Sequence, residues 1–428
     1  MNTAYINIWN KRVGAVSWDT ERGLANFEFA PSFSGYNLDI APIKMPIEQT
    51  GTIFSFPDLR GTNTFKGLPG LLADVLPDRY GNTLINTWLA RNGREPDSMN
   101  PVEMLCFVGR RGMGALEFEP VNPQTVDTST KLEIEGLIEI ARDILNKRQD
   151  FNSGFDGDRE KALLDIVKIG TSAGGARAKA LIAYNEKTNE VRSGQTDSPK
   201  GFSQWIIKFD GVHDSQFGET YGYGRVEMAY YLMALDCGIE MTECRLLEEK
   251  ERAHFMTRRF DRTSGNRKIH IQSWCAINHV DFQDIGVYSY EGLFQTMRTL
   301  LLPYPEAEQL FRRMVFNIIA RNCDDHTKNF SFMMDEQGRW SLAPAFDVCY
   351  AYRPGSVWVS RHSLTLNGKR EDFKRADLLQ VARQMNIKKA DQIISEVQSI
   401  INQWRSYAKQ VGVNEGLERE IGGNILHL

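Results

Sequence analysis

An α+β fold is the class this sequence predicts, and three observations predict it. The first 120 or so residues alternate short aromatic and β-branched runs with turn-prone segments. A polar stretch with two prolines then breaks the pattern, and mixed strand and helix signals follow. From about Ser289 apolar residues recur at helical spacing, in blocks that end near Val411. The implied organisation is a β-rich module over residues 1–122, a lobe of sheet and helix over 123–260, and a mostly helical lobe over 261–428. No internal repeat or low-complexity tract interrupts it.

In chain order, strands are expected at Tyr5–Trp9, Val13–Trp18 and Leu24–Phe29, separated by Asn10-Lys11 and Glu21-Arg22-Gly23. Apolar spacing predicts a helix from about Leu71 to Ala90, stopped by Asn92-Gly93, and a shorter one over Pro101–Val108. A strand over Ala115–Phe118 closes the module. The segment EPVNPQTVDTST (119–130) reads as a linker. Thr130 and Glu133 form an S/T-x-x-E capping box, and the helix they open, to about Lys147, has Leu132, Leu137, Ile140, Ala141 and Ile144 on one side. Strands are expected at Ala180–Tyr184, Ser203–Phe209 and His254–Phe260, with Gly194–Lys200 a polar turn region. A helix is expected over Glu227–Asp236, ending near Gly238.

Composition removes several function classes. Lys and Arg number 51 against 55 Asp and Glu, for a net charge of −4, which argues against nucleic acid or an acidic membrane as the main partner. Hydrophobic residues at 42% and aromatics at 11% give ample material for packed cores, so a disordered chain is excluded. No apolar run approaches the roughly 20 residues that span a bilayer, and the opening MNTAYINIWNKRVG lacks the apolar centre of a secretory signal. The six cysteines are scattered without a CxxC pair. Reduced thiols in a cytoplasmic protein are the expectation, with neither a disulfide frame nor a zinc knuckle.

The segment RNCDDHTKNFSF (321–332) carries the chemistry. It places Asp324, Asp325, His326 and Asn329 directly after an apolar helix, where a rigid element positions polar groups. Asp324 and Asn329 have the D-x-x-x-x-N spacing of a protein-kinase catalytic loop. In such a loop the Asp receives the proton of the substrate hydroxyl, and the Asn gives an oxygen to magnesium. Asp347, in LAPAFDVCY (342–350), follows a strand 18 residues later, about where a kinase needs a second magnesium ligand. Lys208 ends WIIK, similar to the strand lysine that grips ATP phosphates. Upstream of it, GTSAGGARAK (170–179) is rich in glycines that let backbone N–H groups approach phosphate.

Each piece has a plainer reading. Glycines before a strand turn, a lysine ending a strand is solvated, and Asp347 caps a turn. Asp324, Asp325 and His326 alone suit a metal hydrolase or a hydrogen-bonded helix end. Their order along one chain is what selects a bilobal protein-kinase-like fold, with ATP between a sheet lobe and a helical lobe. His326 is expected to brace the loop, since no second histidine lies at ligand spacing. Asp325 is expected to face solvent or cap the turn. His270 and His279 are expected to be structural.

The sequence resembles the HipA family of bacterial serine/threonine kinases, the toxins of toxin–antitoxin pairs. The resemblance runs through GLLADVLPDRYGN (70–82), GRRGMGALEFEP (109–120), GTSAGGARAK, WIIKF (205–209), RRFDR (258–262), NCDDHTKNFSF (322–332) and LAPAFDV (342–348). It implies ATP and Mg²⁺ as cofactors, with Asp324 catalytic and Asn329 and Asp347 binding the metal. Gly170, Gly174, Gly175, Lys208, Arg258, Phe260, His326 and Lys328 fall in its nucleotide site, Arg258 to Phe260 where a hinge backbone meets adenine. Ser172 falls where the family carries an inhibitory autophosphorylation serine. Arg177 stands where the best-known members have Gln, which implies a different branch. The resemblance further implies a protein substrate such as an aminoacyl-tRNA synthetase, and neutralisation by a DNA-binding HipB-like antitoxin. DNA would then be met only through the antitoxin complex, and no membrane is involved. The competing functions are a phosphotransferase for a small molecule or lipid, and a non-catalytic partner of an antitoxin repressor.

Overall fold

A computed structural model describes residues 1–120, 132, 134–145, 157–170, 177–194, 197–212, 221–263 and 266–428. The chain forms two compact units. One comprises Met1–Thr220, Met256–Gln272 and Met334–Arg339, and the other Tyr221–Phe255, Ser273–Met333 and Trp340–Leu428.

In the first unit, β1 (Thr3–Ile8), β2 (Lys11–Asp19), β3 (Leu24–Phe29), β4 (Ile53–Phe54) and β5 (Leu116–Glu119) build an antiparallel sheet ordered β4-β3-β2-β1-β5. The alternation of Ala4, Ile6 and Ile8 puts one face of β1 inward, as a period of two requires. Phe29 stacks on Phe33 and meets Phe27 and Phe54 edge to face. The helix expected over Leu71–Ala90 is two helices, α1 (Gly70–Ala73) and α2 (Arg79–Arg91). Pro77 lies between them, and proline has no N–H to continue a helix. The helix α3 (Pro101–Val108) starts with Pro at its first position and Asn100 Oδ1 accepting from Glu103 N at 2.8 Å.

The helices α4 (Ile134–Leu145) and α5 (Gly157–Gly170) follow, then β6 (Lys179–Asn185), β7 (Glu190–Ser193) and β8 (Ser203–Lys208). Leu132, Leu137, Ile140 and Ala141 are buried as the helical spacing requires. Thr130, Glu133, most of the expected linker and part of the polar turn region lie outside the described residues. The sequence reading missed α5, of which Leu163, Ile166, Val167 and Ile169 are buried. β6 is buried along nearly its whole length; it is an inner strand, between β7 and β8, and α5 packs against it.

The chain continues with α6 (Tyr223–Asp236), β9 (Cys244–Glu249), β10 (Arg252–Arg258), β11 (His270–Ser273), α7 (Trp274–Asn278), α8 (Tyr290–Thr299), α9 (Tyr304–Ile319), β12 (Ser331–Met334), β13 (Trp340–Leu342), α10 (Arg375–Met385), α11 (Ala390–Ile401), α12 (Trp404–Gln410) and α13 (Glu415–Gly422). In the second unit α6 packs on α9 and α12. The buried Tyr230 ring meets Phe316 at 5.9 Å and Trp404 at 5.6 Å, and its hydroxyl donates to Ala320 O at 2.6 Å. The helical run expected from Ser289 is interrupted by β12, β13 and the irregular residues 343–374. Those strands are too short to leave a periodic signature. Among the described residues, no helix is long and apolar enough to cross a membrane.

Candidate active site

The helix α9 buries Leu310, Phe311, Met314, Val315, Phe316, Ile318 and Ile319, which makes it a rigid support for the loop that follows. Arg321 turns the chain with φ +58°, a left-handed conformation. Asn322 then anchors back onto the helix: its N–H donates to Asn317 O at 2.9 Å and its Nδ2 to Asn317 Oδ1 at 2.9 Å. Cys323 N donates to Ala351 O at 3.0 Å, which ties the loop to the segment beyond Asp347.

Asp324 and Asp325 point opposite ways. The Asp324 side chain keeps 32% of its surface exposed, with His326 Nε2 at 3.9 Å from Oδ1. Asp325 is fully buried. Its Oδ2 accepts from Tyr290 Oη at 2.8 Å and meets His362 Nδ1 at 2.9 Å, and its Oδ1 accepts from Ser363 N at 2.7 Å. The expectation that Asp325 faces solvent or caps the turn is therefore corrected. Three groups surround that carboxylate, and two of them come from a segment some 37 residues away in sequence. Burial alone would lower the basicity of His362. The neighbouring Cys323 and the Asp325 carboxylate outweigh it and push the imidazole up to about 10.

Asn329 closes the loop. Its N–H donates to His326 O at 2.9 Å and its Nδ2 to Asp324 O at 2.6 Å, and among the described residues none donates to Oδ1. Asp347 reaches the same place from β13. Ala343 N donates to Ser331 O at 2.9 Å, Ala345 N donates to Glu240 O at 2.8 Å, and Asp347 adopts φ +53°. Asn329, Asp347, Asp325, Asn322 and Arg313 line one cavity of about 20 Å³, room for a water or an ion. Arg313 is buried there, and burial pushes its guanidinium down to about 10. Asp324 stands beside this cavity and joins it through the Asn329 amide. His326 and Lys328 both lie against Phe282, the ring centroid being 5.1 Å from the imidazole and 5.1 Å from the ammonium.

The structure thus brings Asp324, Asn329 and Asp347 together within one unit. Lys208, Arg258 and Phe260 belong to the other. Lys208 ends β8 opposite Lys179 of β6. Arg258 ends β10 and is exposed, and Phe260 is half-buried. Gly170 closes α5, where a Cβ would stand 2.5 Å from Leu84 Cδ1 and 3.2 Å from Tyr80 Cε1, so the absence of a side chain there serves helix packing. Ser172, Gly174 and Gly175 lie outside the described residues. Sequence reasoning missed His362 and Tyr290, neither of which sits in a motif, and it misjudged Asp325, whose one signal was the Asp doublet. It also gave no role to Asp261 and Arg262, and to Arg259 only a place in the hinge backbone. These form a buried cluster: Asp261 accepts from Arg259 Nε at 2.8 Å, from Arg262 Nη1 at 2.6 Å and from Gly114 N at 2.8 Å.

The fold is α+β and kinase-like, with a β-rich N-terminal part and a helical C-terminal region. The model of the HipA N-terminal domain matches residues 4–119, and that of the HipA-like C-terminal domain matches residues 171–404. The chain belongs to the HipA family. Among solved structures, HipA of Shewanella oneidensis MR-1, in a toxin–antitoxin complex with HipB and operator DNA, matches with a TM-score of 0.67 at 16% identity. That match covers 98% of this chain and 94% of that one. The Helicobacter pylori proinflammatory kinase CtkA matches with a TM-score of 0.33 at 12% identity, over 52% of this chain and 88% of that one. No curated protein matches significantly.

Proposed function

We propose that the chain is a Mg·ATP-dependent serine/threonine protein kinase of the HipA toxin type. Its substrate would be a protein of translation such as an aminoacyl-tRNA synthetase, and its neutralising partner a DNA-binding HipB-like antitoxin. The observation that carries the reading is the convergence of Asn329 and Asp347 on one cavity, with Asp324 bound to the Asn329 amide.

The donor set suits magnesium, because an amide oxygen and a carboxylate are hard oxygen ligands and the Asn329 amide turns its NH₂ away toward Asp324. Asn329 and Asp347 would hold the ion, whose contribution is to neutralise charge on the transferring phosphate. The chain's own residues do the rest. Asp324, partly exposed, accepts the proton of the incoming hydroxyl. Asn329 fixes the Asp324 carbonyl and so sets where that carboxylate starts. On sequence grounds Lys208 contacts the phosphates and Ser172 is the autophosphorylation site. The S. oneidensis complex supports the partner assignment by likeness of fold.

The test is labelled ATP with the purified chain and a lysate of the source cell, the labelled band being identified by mass spectrometry. A protein band that vanishes with Asp347→Asn is expected. Label appearing only in metabolites or lipids would favour the small-molecule phosphotransferase instead. No label above the Asp347→Asn control would refute the kinase reading.

A further inference from the structure

Asp325 is a fully buried carboxylate beside the residue that accepts the proton, and phosphate transfer gives it no direct task. Both of its oxygens are engaged: Oδ2 by Tyr290 Oη and His362 Nδ1, Oδ1 by Ser363 N. A carboxylate so enclosed is not a free ligand for a metal or substrate. An isolated buried charge is costly, so it persists here because His362 and two donors, Tyr290 Oη and Ser363 N, offset it.

What these contacts hold is the backbone around Asp324. The segment that leaves Asp347 returns along the loop at two places. Ala351 pairs with Arg321, Asn322 and Cys323. Farther on, Ser363 N donates to Cys323 O at 3.2 Å as well as to Asp325, and Ser363 Oγ donates to Cys323 O at 3.2 Å. Cys323 and Asp325, the two neighbours of Asp324, are thus fastened to one segment. Asp324 is left as the outward residue between two pinned ones. The network runs deeper, since Tyr290 Oη accepts from Asn317 Nδ2 at 3.1 Å, and Asn317 also holds Asn322.

We propose that Asp325, paired with His362, is the positioning residue of the catalytic loop, fixing the backbone that presents Asp324 and locking that loop to the segment returning from Asp347. The inference rests on the kinase reading of Asp324. A charge pair that only stabilised the fold would leave the rate per folded molecule unchanged. A positioning pair governs the rate and leaves nucleotide affinity alone.

The experiment measures phosphate transfer from labelled Mg·ATP, the KM for ATP, and hydrogen exchange of residues 322–329. Its variants are Asp325→Asn, His362→Gln, the double variant, and Tyr290→Phe. Each of the first two is expected to slow transfer about 100-fold while KM for ATP moves less than about threefold, since a 1 Å misplacement of reacting groups has that effect. The double variant, a neutral hydrogen-bonded pair with no stranded charge, should regain about tenfold over either single. Tyr290→Phe removes the two hydrogen bonds of the hydroxyl, to Asp325 and from Asn317, and keeps the ring, so it should fold and lose about three- to tenfold. Exchange at 322–329 should quicken in Asp325→Asn. Should the charge variants not fold, Tyr290→Phe decides the matter: full rate with unaltered exchange overturns the proposal. Charge variants at wild-type rate, a KM that rises in step with the loss, or a double variant no better than the singles also overturn it. A wild-type chain with no more transfer than Asp324→Asn removes the kinase reading itself, which is a different result.

Discussion

Asn329 Nδ2 donates to the Asp324 carbonyl at 2.6 Å, so one amide couples the residue proposed to accept the proton to the cavity proposed to hold the metal. Its two ends have different jobs, and substitution separates them. Asn329→Asp keeps an oxygen for the metal but turns the donor into an acceptor facing a carbonyl. Asn329→Ala loses both. We expect Asn329→Ala to lower the transfer rate at least about 100-fold. Asn329→Asp should fall between that and wild type and need less magnesium than the alanine variant. Equal magnesium requirements in the two variants would contradict a metal role for Oδ1.

Asp347 sits at φ +53°, a conformation that among residues with a side chain Asn and Asp tolerate best. Asp347→Asn therefore removes the carboxylate without disturbing the backbone. Transfer should drop by about 100-fold or more, while the melting temperature stays within about 2 °C of wild type. A well-folded Asp347→Asn protein with normal turnover would exclude the assignment.

The sequence made the first β-sheet, α3 and the D-x-x-x-x-N loop legible because each depends on local pattern: alternation in β1 to β3, a proline start in α3, and fixed spacing in the loop. What it hid depends on distance along the chain. His362 and Tyr290 matter because the fold brings them to Asp325, and nothing in the residues around them advertises it. Asp325 was misjudged for the same reason, since a charged residue in a loop is solvated unless a remote segment covers it. Gly170 was read with its glycine neighbours, yet Leu84 and Tyr80 are what require it to lack a side chain.

The regulatory serine proposed on resemblance is testable without geometry. A phosphate adds about −1.5 to −2 charges at neutral pH, unfavourable beside the phosphates of ATP. Ser172→Asp should therefore lower transfer to other proteins, and Ser172→Ala should retain it. Peptide mapping after incubation with Mg·ATP should find phosphate at Ser172 in the wild type and none in Asp347→Asn. Full activity in Ser172→Asp, with no phosphate at residues 171–172, would set the idea aside.

His270 is buried in the first unit, and burial pushes its imidazole down to about 4 from an ordinary 6.5. The folded state then binds fewer protons than the unfolded state between those values. Stability attributable to this group is complete above pH 6.5, falls as pH drops through the window, and levels off below about 4. The loss amounts to about 3 kcal/mol. His362 does not confound the comparison: its contribution is complete below pH 6.5 and is lost as pH rises from there toward 10, and it is the same in wild type and His270→Gln. Urea unfolding at pH 7 and pH 4.5 should show a smaller pH effect in His270→Gln than in wild type. Identical pH dependence would assign the acid sensitivity elsewhere.

Asp261 lies between Arg259 and Arg262, with side-chain exposures of 0%, 0% and 6% for Asp261, Arg259 and Arg262 respectively. Burial alone would raise the Asp261 carboxyl, but the two guanidiniums and the Gly114 N–H hold it well below the usual carboxylate range. The same arginines reach back to the N-terminal module, where Arg262 Nη1 donates to Gly114 O at 3.0 Å and Arg262 Nη2 to Gly112 O at 3.0 Å. Nearby, Lys268 Nζ binds Glu117 Oε1 at 2.9 Å and Arg110 O at 2.7 Å, which extends the staple along β5. Removing the central charge leaves two buried cations uncompensated, so Asp261→Asn should destabilise the fold by about 3–5 kcal/mol although Asn keeps an oxygen for Gly114 N. Replacing all three residues together with apolar ones of similar volume should cost less than the single change, because no charge is stranded. The single variant would then be the less stable of the two, an order opposite to the number of substitutions. Midpoints of urea unfolding followed by tryptophan fluorescence read this directly. A loss under about 1 kcal/mol for Asp261→Asn would mean that water reaches the cluster and screens it.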